Sequence, residues 1–308
     1  MIVVVVPAVE LALVSLAAFG GQWVWWLDVL ANFRAQYAIA LLVLGLVVAA
    51  SRWRRTGVGI LAVSLVNVIA VAPLFIGSPG QPTAGAPEMR VMSFNVLSNN
   101  ENYNEVIEYI DAVQPDLVFL HESSRPWEVA LESSDLDYRI VRTQAENLIF
   151  GTLVMIKGDA SVVSYGYAES QPRAVALDYQ PEGWPVQLHI LSTHPLAPTT
   201  SQRAALRDAQ LGFAAGWAAD SERPTIVLGD FNASPWSWTF SGLVHAGLRN
   251  SQIGFGLQPS FPATTSLLLR VPIDHLLHSD ELLVRDRFLG PAMGSDHFPL
   301  VVDLELKP

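Results

Sequence analysis

Cysteine is absent from this chain of 308 residues. Its absence excludes disulfide bonds, thiolate nucleophiles and zinc sites built from cysteine. It does not indicate a cellular compartment, because a chain of this length can bury a core large enough to fold without covalent crosslinks.

Charged side chains are also scarce, and they are unevenly distributed. They make up 15% of the residues, against about 25% in average soluble proteins. Residues 1–78 contain four basic and two acidic side chains, so 14 basic and 27 acidic ones remain in residues 79–308, a net charge of −13. Since non-specific affinity for nucleic acid comes mostly from Lys and Arg on phosphates, this acidic segment without a basic run argues against a tight, non-specific DNA-binding protein.

Long apolar stretches fill the first 78 residues. They run over about residues 2–19, 37–50 and 58–76, and a membrane-spanning helix needs ~20 mostly apolar residues, with ~17 tolerated. The second stretch is long enough only if it includes residues 30–36 and if Arg34 extends toward the lipid headgroups. A signal peptide would explain the first stretch alone, and a soluble helical domain would need polar faces on these helices. We therefore predict a transmembrane anchor of three helices over residues 1–78.

Tryptophans and arginines at the ends of these stretches indicate an orientation. Trp23, Trp25 and Trp26 follow the first stretch, where an aromatic belt at the membrane surface is expected, and the loop 51–55 carries three arginines. The positive-inside rule places that loop in the cytoplasm and the residues after 76 outside. The sequence thus predicts a multi-pass protein of the cell membrane with an extracytoplasmic domain.

A linker rich in Gly and Pro, residues 79–88, precedes a domain predicted over residues 89–308. Helical periodicity predicts helices at 103–113 and 201–219, with Leu206, Phe213 and Trp217 facing inward in the second. Strands mixed with these helices predict an α+β domain in which helices cover packed sheets. The predicted strands are 90–94, 117–120, 148–156, 161–167, 174–179, 186–192, 225–228, 283–288 and 300–306.

Six short segments place polar side chains at the ends of predicted strands or in the loops that follow. Asn and Asp are poor strand formers, so their repeated occurrence there indicates strand ends that converge on one site. The segments are 93–95, 121–122, 192–194, 229–232, 273–275 and 294–297, which read Ser-Phe-Asn, His-Glu, Ser-Thr-His, Gly-Asp-Phe-Asn, Ile-Asp-His and Gly-Ser-Asp-His.

Each segment alone has an ordinary structural explanation. Glu122 could be a surface carboxylate, Asn95 could cap a turn, and His194 could be a hydrogen-bonded loop histidine. For His275 and His278, packing or solvent exposure stays the preferred interpretation. Together, however, the carboxylates, two amides and two histidines suit an oxygen-rich Mg²⁺ site with acid–base partners.

The order of these motifs resembles the endonuclease/exonuclease/phosphatase family, which has the fold of deoxyribonuclease I and includes apurinic endonucleases, inositol-polyphosphate phosphatases and neutral sphingomyelinases. The resemblance covers about residues 89–306, and Gly-Asp-Phe-Asn and Gly-Ser-Asp-His-Phe-Pro are its most specific parts. It implies a four-layered α/β sandwich with the site at one edge of two sheets. It also implies a metal-dependent hydrolase of phosphoester bonds.

The resemblance implies a metal site as well. Glu122 matches the principal ligand of Mg²⁺, with Mn²⁺ as the alternative ion, and Asn95 and Asp296 match the residues that help it. His121 departs from the pattern, because many relatives carry Gln before the Glu. That change affects the surroundings of the metal site and leaves the ligand in place.

Five further residues match the family's catalytic set. Asp230 matches the residue that orients or deprotonates the attacking water, and Asn232 would donate to the phosphoryl oxygens. His297 would contact the phosphate, oriented by Asp274 through its ring nitrogen. His194 matches a histidine that assists the leaving group or binds phosphate. Because phosphoryl transfer depends mainly on charge stabilisation, these roles form a coherent set.

The helices ahead of the domain resemble a membrane-anchored bacterial branch of the family with an outward-facing catalytic domain. The predicted partners are the lipid bilayer and a phosphate-containing substrate, and no protein partner is indicated. We predict a membrane-anchored, Mg²⁺-dependent phosphoesterase that acts on a phosphate or phosphodiester of an envelope lipid.

Two alternative functions stay open. A membrane-anchored extracytoplasmic nuclease acting on nucleic acid would need basic residues near the site, and the candidates in sequence are Arg173, Arg203, Arg207 and Arg270. A non-catalytic membrane scaffold should have lost metal ligands, and this chain retains all those that can be matched.

The orientation can be tested with fusions. A reporter that is active only outside the cytoplasm should be active when fused after Ser78 and inactive when fused near Arg54, because the arginine loop is retained inside. The reverse pattern would place the domain among cytoplasmic substrates and strengthen the nuclease alternative.

Overall fold

The computed structural model describes residues 2–77, 83–142, 151–165 and 174–307. Part of the predicted linker (residues 79–82), the first residues of the strand predicted at 148–156 and the last two of the strand predicted at 161–167 lie outside the described residues. So does Arg173.

The N-terminal region is helical. It contains α1 (Ile2–Ala17), continued by a 3-10 turn at Ala18–Gly20, then α2 (Trp25–Ala31), α3 (Arg34–Ala49), α4 (Arg54–Val71) and the short α5 (Pro73–Ile76). Two helical segments, Ile2–Gly20 and Arg54–Val71, are each long and apolar enough to cross a membrane. Helices α2 and α3 qualify only as a pair, and they meet at an angle of 68°. The prediction of three spans therefore holds only if this bent pair counts as one.

Arg34 does not extend toward headgroups as the sequence suggested. It is buried between the helices, where its Nη1 donates to Ser15 O at 2.8 Å and to Asn67 Oδ1 at 3.2 Å. Its guanidinium also lies over the ring of Phe19, 3.6 Å from the ring centroid. The helices can keep this charge inside because a backbone oxygen on α1 and the Asn67 side chain on α4 accept from it, a pairing that one-dimensional hydropathy does not reveal.

The rest of the described chain forms two mixed six-stranded sheets with helices. The first sheet has the order β11-β12-β1-β2-β4-β3, and the second has β5-β6-β7-β8-β10-β9. The strands are β1 (Glu88–Asn95), β2 (Leu117–Ser123), β3 (Arg139–Arg142), β4 (Gly151–Ile156), β5 (Ala160–Tyr165), β6 (Ala174–Tyr179), β7 (Leu188–Ser192), β8 (Thr225–Asp230), β9 (Arg249–Asn250), β10 (Asp274–His278), β11 (Leu282–Leu289) and β12 (Leu300–Leu306). The helices are α6 (Tyr103–Val113), α7 (Arg125–Glu132), α8 (Ser201–Ala219) and α9 (Trp238–His245).

Alternating side chains build four layers. Val91 of β1 and Ile226 of β8 belong to one buried cluster that joins the two sheets face to face. Their neighbours Met92 and Val227 point the other way and pack under helices, α6 and α7 on the first sheet and α8 and α9 on the second. This two-residue alternation in the strands produces the helix–sheet–sheet–helix sandwich that the resemblance implied.

Most predicted elements are present, but the inward face of α8 was only partly right. Phe213 and Trp217 are half-buried and pack against the cluster under the helix, whereas Leu206 is half-buried and is not among the residues packed there. The buried residues of α8 are Ala204, Arg207, Gln210, Leu211, Ala214 and Ala218. The helix uses small residues against the sheet, which permits close approach, and it buries an arginine because that arginine has a partner in the N-terminal region.

That partner is Asp28 of α2, and the ion pair attaches the sandwich to the N-terminal helices. Arg207 Nη2 donates to Asp28 Oδ2 at 2.7 Å, and both side chains are buried. Asp28 also accepts from Ser237 Oγ at 2.6 Å and from Trp238 N at 2.5 Å, at the start of α9. Arg207 Nη1 in turn donates to Asn232 O at 3.3 Å. The sandwich is therefore packed on these helices, in addition to being linked to them by the chain.

Replacing Asp28 by Ala should destabilise the detergent-solubilised full-length protein by ~3 kcal/mol, since it leaves a buried guanidinium with a single carboxylate partner. The matched control is Asp208→Ala, because Asp208 also pairs with Arg207, at 2.8 Å, but is 45% exposed. The control should cost less than about 1 kcal/mol. Thermal unfolding followed by tryptophan fluorescence measures both, and equal small losses would show that the ion pair does not hold the two parts together.

Candidate active site

Asn95 joins two carboxylates that come from different sheets. β1 and β2 are parallel, with Asn95 opposite His121, so their carboxyl ends lie at one edge of the first sheet. Asn95 Nδ2 donates to Glu122 Oε1 at 3.0 Å and to Asp230 Oδ2 at 3.1 Å, and Asp230 ends β8 of the second sheet. The two sheets therefore contribute to one cluster, as the strand-end pattern predicted.

Glu122 reaches this cluster through an irregularity in its strand. The register between β2 and β4 shifts between His121 and Ser123, and Glu122 has a φ of +54°. Such a bulge turns a side chain away from its regular direction. A left-handed backbone costs a non-glycine residue about 1–2 kcal/mol, and strain of this kind is concentrated at functional sites.

His297 lies between two buried aspartates. Its Nδ1 is 2.8 Å from Asp274 Oδ2, and its Nε2 is 3.6 Å from Asp230 Oδ2. Asp274 stands opposite Asp230 because β10 pairs antiparallel with β8. Ser295 Oγ accepts from His297 N at 3.0 Å and donates to Asn95 O at 2.6 Å, which fixes the loop that carries the histidine.

His194 approaches the same carboxylates from the end of β7. Its Nε2 is 3.4 Å from Asp230 Oδ2 and 3.6 Å from Glu122 Oε1. Asn232, in contrast, turns its side chain away from the carboxylates. Its Nδ2 donates to Pro195 O at 3.0 Å while its backbone N donates to Asp230 Oδ1 at 2.9 Å, so it connects the loops that carry His194 and Asp230.

The charges in this cluster are interdependent. Burial lowers the pKa of His297, but Asp274 and Asp230 raise it by more, to about 10. Burial raises the pKa of Asp230, but His297 and His194 hold it well below its usual value. Burial also lowers the pKa of His194, and the hydrogen bond and charge of Asp230 bring it above its ordinary value. At neutral pH the cluster therefore pairs an ionised Asp230 with a cationic His297.

The predicted metal ligands are only partly gathered. Asn95 and Glu122 are in contact. Asp296 is half-buried beside His297, whose pKa it helps to raise, and its backbone O accepts from Ala263 N at 2.6 Å. Among the described residues, ligand atoms within 4.8 Å of one another come instead from Asp230, Asp274 and His297. There the imidazole already occupies the space between the two carboxylates.

The donor chemistry fits a hard divalent cation near Glu122. Glu122 and Asp230 supply carboxylate oxygens, and magnesium prefers such ligands. The amide nitrogen of Asn95 now bridges these carboxylates, and a half-turn of the amide would present its oxygen instead. A divalent cation would offset the negative charge that these two carboxylates bring together.

His121 has a structural place that sequence reasoning had not assigned. It is buried between the sheets, with its Nε2 3.4 Å from Ser93 Oγ and 3.5 Å from Ser192 Oγ. Burial lowers its pKa to about 3, so it is neutral. Gly229, with a φ of +136°, permits this close packing: a Cβ there would lie 2.0 Å from Thr193 O and 3.2 Å from His121 Nε2. His121 thus fills the interior directly behind the carboxylates.

His275 follows Asp274 in β10, and His278 lies at the other end of that strand; both are buried and packed, as the ordinary interpretation expected. His275 Nε2 is 2.8 Å from Ala233 O, and His278 Nδ1 is 2.8 Å from Ser279 O. Burial lowers the pKa of His275 to about 3 and that of His278 to about 4. Both are neutral and bonded to backbone oxygens.

Solved structures with this fold come from several organisms. A protein from Enterococcus faecalis described as functionally unknown is 16% identical, with a TM-score of 0.60, covering 71% of this chain and 100% of that one. TDP2 from D. rerio, complexed with a single-strand DNA product, is 14% identical with a TM-score of 0.59, covering 71% and 99%. The catalytic domain of human Nocturnin with bound sulfate is 22% identical with a TM-score of 0.56, covering 72% and 94%. No curated protein matches the sequence.

The sandwich, with a buried Asp/Asp/His cluster at the edge of both sheets, is that of a metal-dependent hydrolase of phosphoester bonds. Residues 92–297, two thirds of the chain, match the Endonuclease/Exonuclease/phosphatase family, and the protein belongs to that family.

Asp274→Asn should shift the alkaline limb of the pH profile. The Asp274 charge raises the pKa of His297, so activity that needs cationic His297 persists through neutral pH and is lost only as the pH rises toward about 10. Without that charge the loss should begin about one to three pH units lower. The measurement is kcat/KM against pH on a soluble phosphoester.

The matched control is Asp178→Asn. Asp178 pairs with His189 at 2.7 Å on strands β6 and β7, outside the cluster, so this variant should leave the profile unchanged. An Asp274→Asn profile that overlays the wild-type one would show that His297 titration does not govern the reaction.

Proposed function

We propose that this protein hydrolyses a phosphate or phosphodiester of an envelope lipid outside the cytoplasm, held at the membrane by its N-terminal helices. One observation carries the proposal: the loop that follows Asp230 packs directly on one end of those helices. Ser234 N donates to Asn32 Oδ1 at 3.0 Å, and Trp236 Nε1 donates to Ala70 O at 3.0 Å. The reacting groups would thus lie within a few residues of the bilayer surface.

The position of the contact supports the extracytoplasmic orientation. The sandwich contacts α2, the start of α3 and the end of α4, whereas the arginine loop 51–55 joins the opposite ends of α3 and α4. The 16 residues of α3 separate the two ends by about 24 Å. If the helices cross a membrane with that loop inside, the active site faces the outer surface.

Glu122 and Asn95, with Asp296 nearby, would hold the cation, which we propose to be Mg²⁺, with Mn²⁺ as the alternative. When bound, the cation supplies Lewis-acid polarisation of the phosphoryl oxygen and offsets developing charge. The carboxylate of Glu122 is half-buried and reaches the cluster edge, so a substrate oxygen can approach it.

The remaining steps belong to the chain's own side chains. Asp230, kept ionised by its histidine neighbours, would orient the attacking water, and its low pKa makes it a weak base, so orientation matters more than proton removal. Cationic His297 would hold a phosphoryl oxygen while Asp274 fixes its ring. His194, with a raised pKa, would donate a proton to the leaving oxygen.

The nuclease alternative has less support from the arginines. Arg207 is buried against Asp28, and Arg270 donates to Thr265 O and lies over the ring of Phe298. Neither is available for a polyanion along the domain surface. The scaffold alternative is disfavoured because the matched residues Asn95, Glu122, Asp230, His194, Asp274 and His297 are assembled.

A substrate panel tests the proposal. Purified full-length protein in detergent should hydrolyse a phospholipid or a polyprenyl pyrophosphate faster than single- or double-stranded DNA in Mg²⁺, and EDTA should abolish the activity. Glu122→Ala should reduce turnover about 100-fold or more and keep the wild-type melting behaviour. DNA hydrolysed in preference to every lipid phosphate would make the anchored nuclease the better function, and near wild-type turnover by Glu122→Ala would remove Glu122 from the metal site.

A further inference from the structure

An apolar groove separates helix α3 from a loop of the sandwich. One wall consists of Ala35, Gln36, Ile39 and Ala40, and the other of Leu257, Pro259, Leu267 and Leu268; the cavity volume is about 390 Å³. None of the described residues that line it is charged. A polar or charged ligand would lose its hydration in this groove and find few hydrogen-bond partners. A hydrocarbon chain has no such hydration to lose, so its entry carries no desolvation cost.

The loop over residues 261–270 exposes three consecutive leucines. Leu267, Leu268 and Leu269 are 65%, 67% and 61% exposed. The loop is fixed by Arg270, whose Nε and Nη2 donate to Thr265 O at 3.0 and 2.8 Å. A fixed turn that presents adjacent leucines to water is unfavourable, and such patches mark contacts with a membrane or an apolar ligand.

A hydrogen bond sets the height of this loop along α3. Gln36 Nε2 donates to Arg270 O at 2.7 Å, and Gln36 is the third residue of the helix. Ile39 and Ala40, which face Leu267 and Leu268 across the groove, lie about 4.5–6 Å further along the helix axis. If α3 crosses the membrane, the leucines therefore reach below the surface of the outer leaflet.

The other end of the same loop touches the active site. The ring centroids of Phe261 and His297 are 4.7 Å apart, and Ala263 N donates to Asp296 O at 2.6 Å. Next to the groove residue Pro259, Ser260 Oγ accepts from Asp274 N at 3.2 Å. The loop thus runs from the histidine between the two aspartates to the groove at α3.

We propose that this groove binds a hydrocarbon chain of the substrate while the phosphate of the same molecule occupies the Asp230–His297 site. The substrate class is then a phosphate ester or diphosphate of a long-chain lipid. The inference rests on the proposed function. It adds that contacts with α3, Leu267 and Leu268 make the enzyme selective for substrates with a long hydrocarbon chain. The groove opens beside Ile39, which is 55% exposed on the outer face of α3, so a chain can enter from the bilayer side.

The test compares lipid phosphates that share a headgroup and differ in chain length, in detergent micelles with full-length protein. Wild type should show a higher kcat/KM for the long chain. Leu267→Ser combined with Leu268→Ser should lower the long-to-short ratio of kcat/KM about tenfold, since each leucine contributes several CH₂ contacts. Val163→Ser removes an exposed apolar side chain from edge strand β5, away from the groove, and should leave the ratio unchanged.

A second variant fills the groove from the helix side and does not depend on the loop. Ala40→Trp should lower the same ratio about tenfold, whereas Leu46→Trp, at an exposed position of α3 away from the groove, should not. If both groove variants keep the wild-type ratio, the groove does not bind the chain, even though lipid hydrolysis stands. If wild type cleaves soluble phosphoesters but no lipid phosphate of either length, the lipid function itself is overturned, together with the groove.

Discussion

The pairing of β8 with β10 imposes the constraint on which the site depends, because it sets two buried carboxylates, Asp230 and Asp274, side by side. Two such charges cannot both stay ionised in a dry interior unless cations lie between or beside them. His297 fills the space between them and takes a proton that it holds to a pKa of about 10. His194 also lies beside Asp230, which raises the pKa of this histidine above its ordinary value, and Asn95 brings in Glu122. The cluster therefore balances a concentrated negative charge. A divalent cation would offset the charge of Glu122 and Asp230, and a bound phosphate would be offset by that cation and by His297.

The second dependence runs through Arg207. Its guanidinium bonds Asp28 in the N-terminal helices and the carbonyl of Asn232 in the loop that follows Asp230. Asn232 in turn joins that loop to the one carrying His194, through its bond to Pro195 O. The loops that carry Asp230 and His194 are thus positioned by contacts with the N-terminal helices as well as by the sheets. A domain joined to its anchor by a flexible linker alone would have no such link, so the helices contribute to site geometry in addition to location.

The sequence predicted the convergence of the site because the carboxyl ends of parallel neighbours must meet, as those of β1 with β2 and β7 with β8 do. Asp274 belongs to the set for a different reason: it begins an antiparallel strand, whose start meets the end of β8. Pattern reasoning could not foresee Arg34 and Arg207 in the interior, since their burial depends on Ser15, Asn67 and Asp28, up to 179 positions away along the chain. The resemblance already implied the contact of His297 with Asp274, whereas the second contact of His297, with Asp230, and the bulge that turns Glu122 depend on tertiary structure. Hydropathy and motif order therefore predicted which residues meet at the site, but they did not predict the orientation of most of these side chains.

The charge of the sandwich and its proposed location appear to conflict, since residues 79–308 carry a net charge of −13 and lipid phosphates are anionic. The conflict is resolved when three interactions are considered separately: attachment of the sandwich to the helices, long-range attraction of the substrate, and local contacts with its phosphate. Attachment to the helices uses a buried ion pair and backbone hydrogen bonds, which salt and surface charge affect little. Long-range attraction is unnecessary for a substrate that diffuses in the same bilayer, because confinement to that plane raises its effective concentration. Cationic groups are needed only where the phosphate binds, and there His297 and a bound cation would provide them. In the proposed function, an acidic exterior would disfavour soluble polyanions such as DNA, and the apolar groove and the local cations would favour a phosphate attached to a hydrocarbon chain.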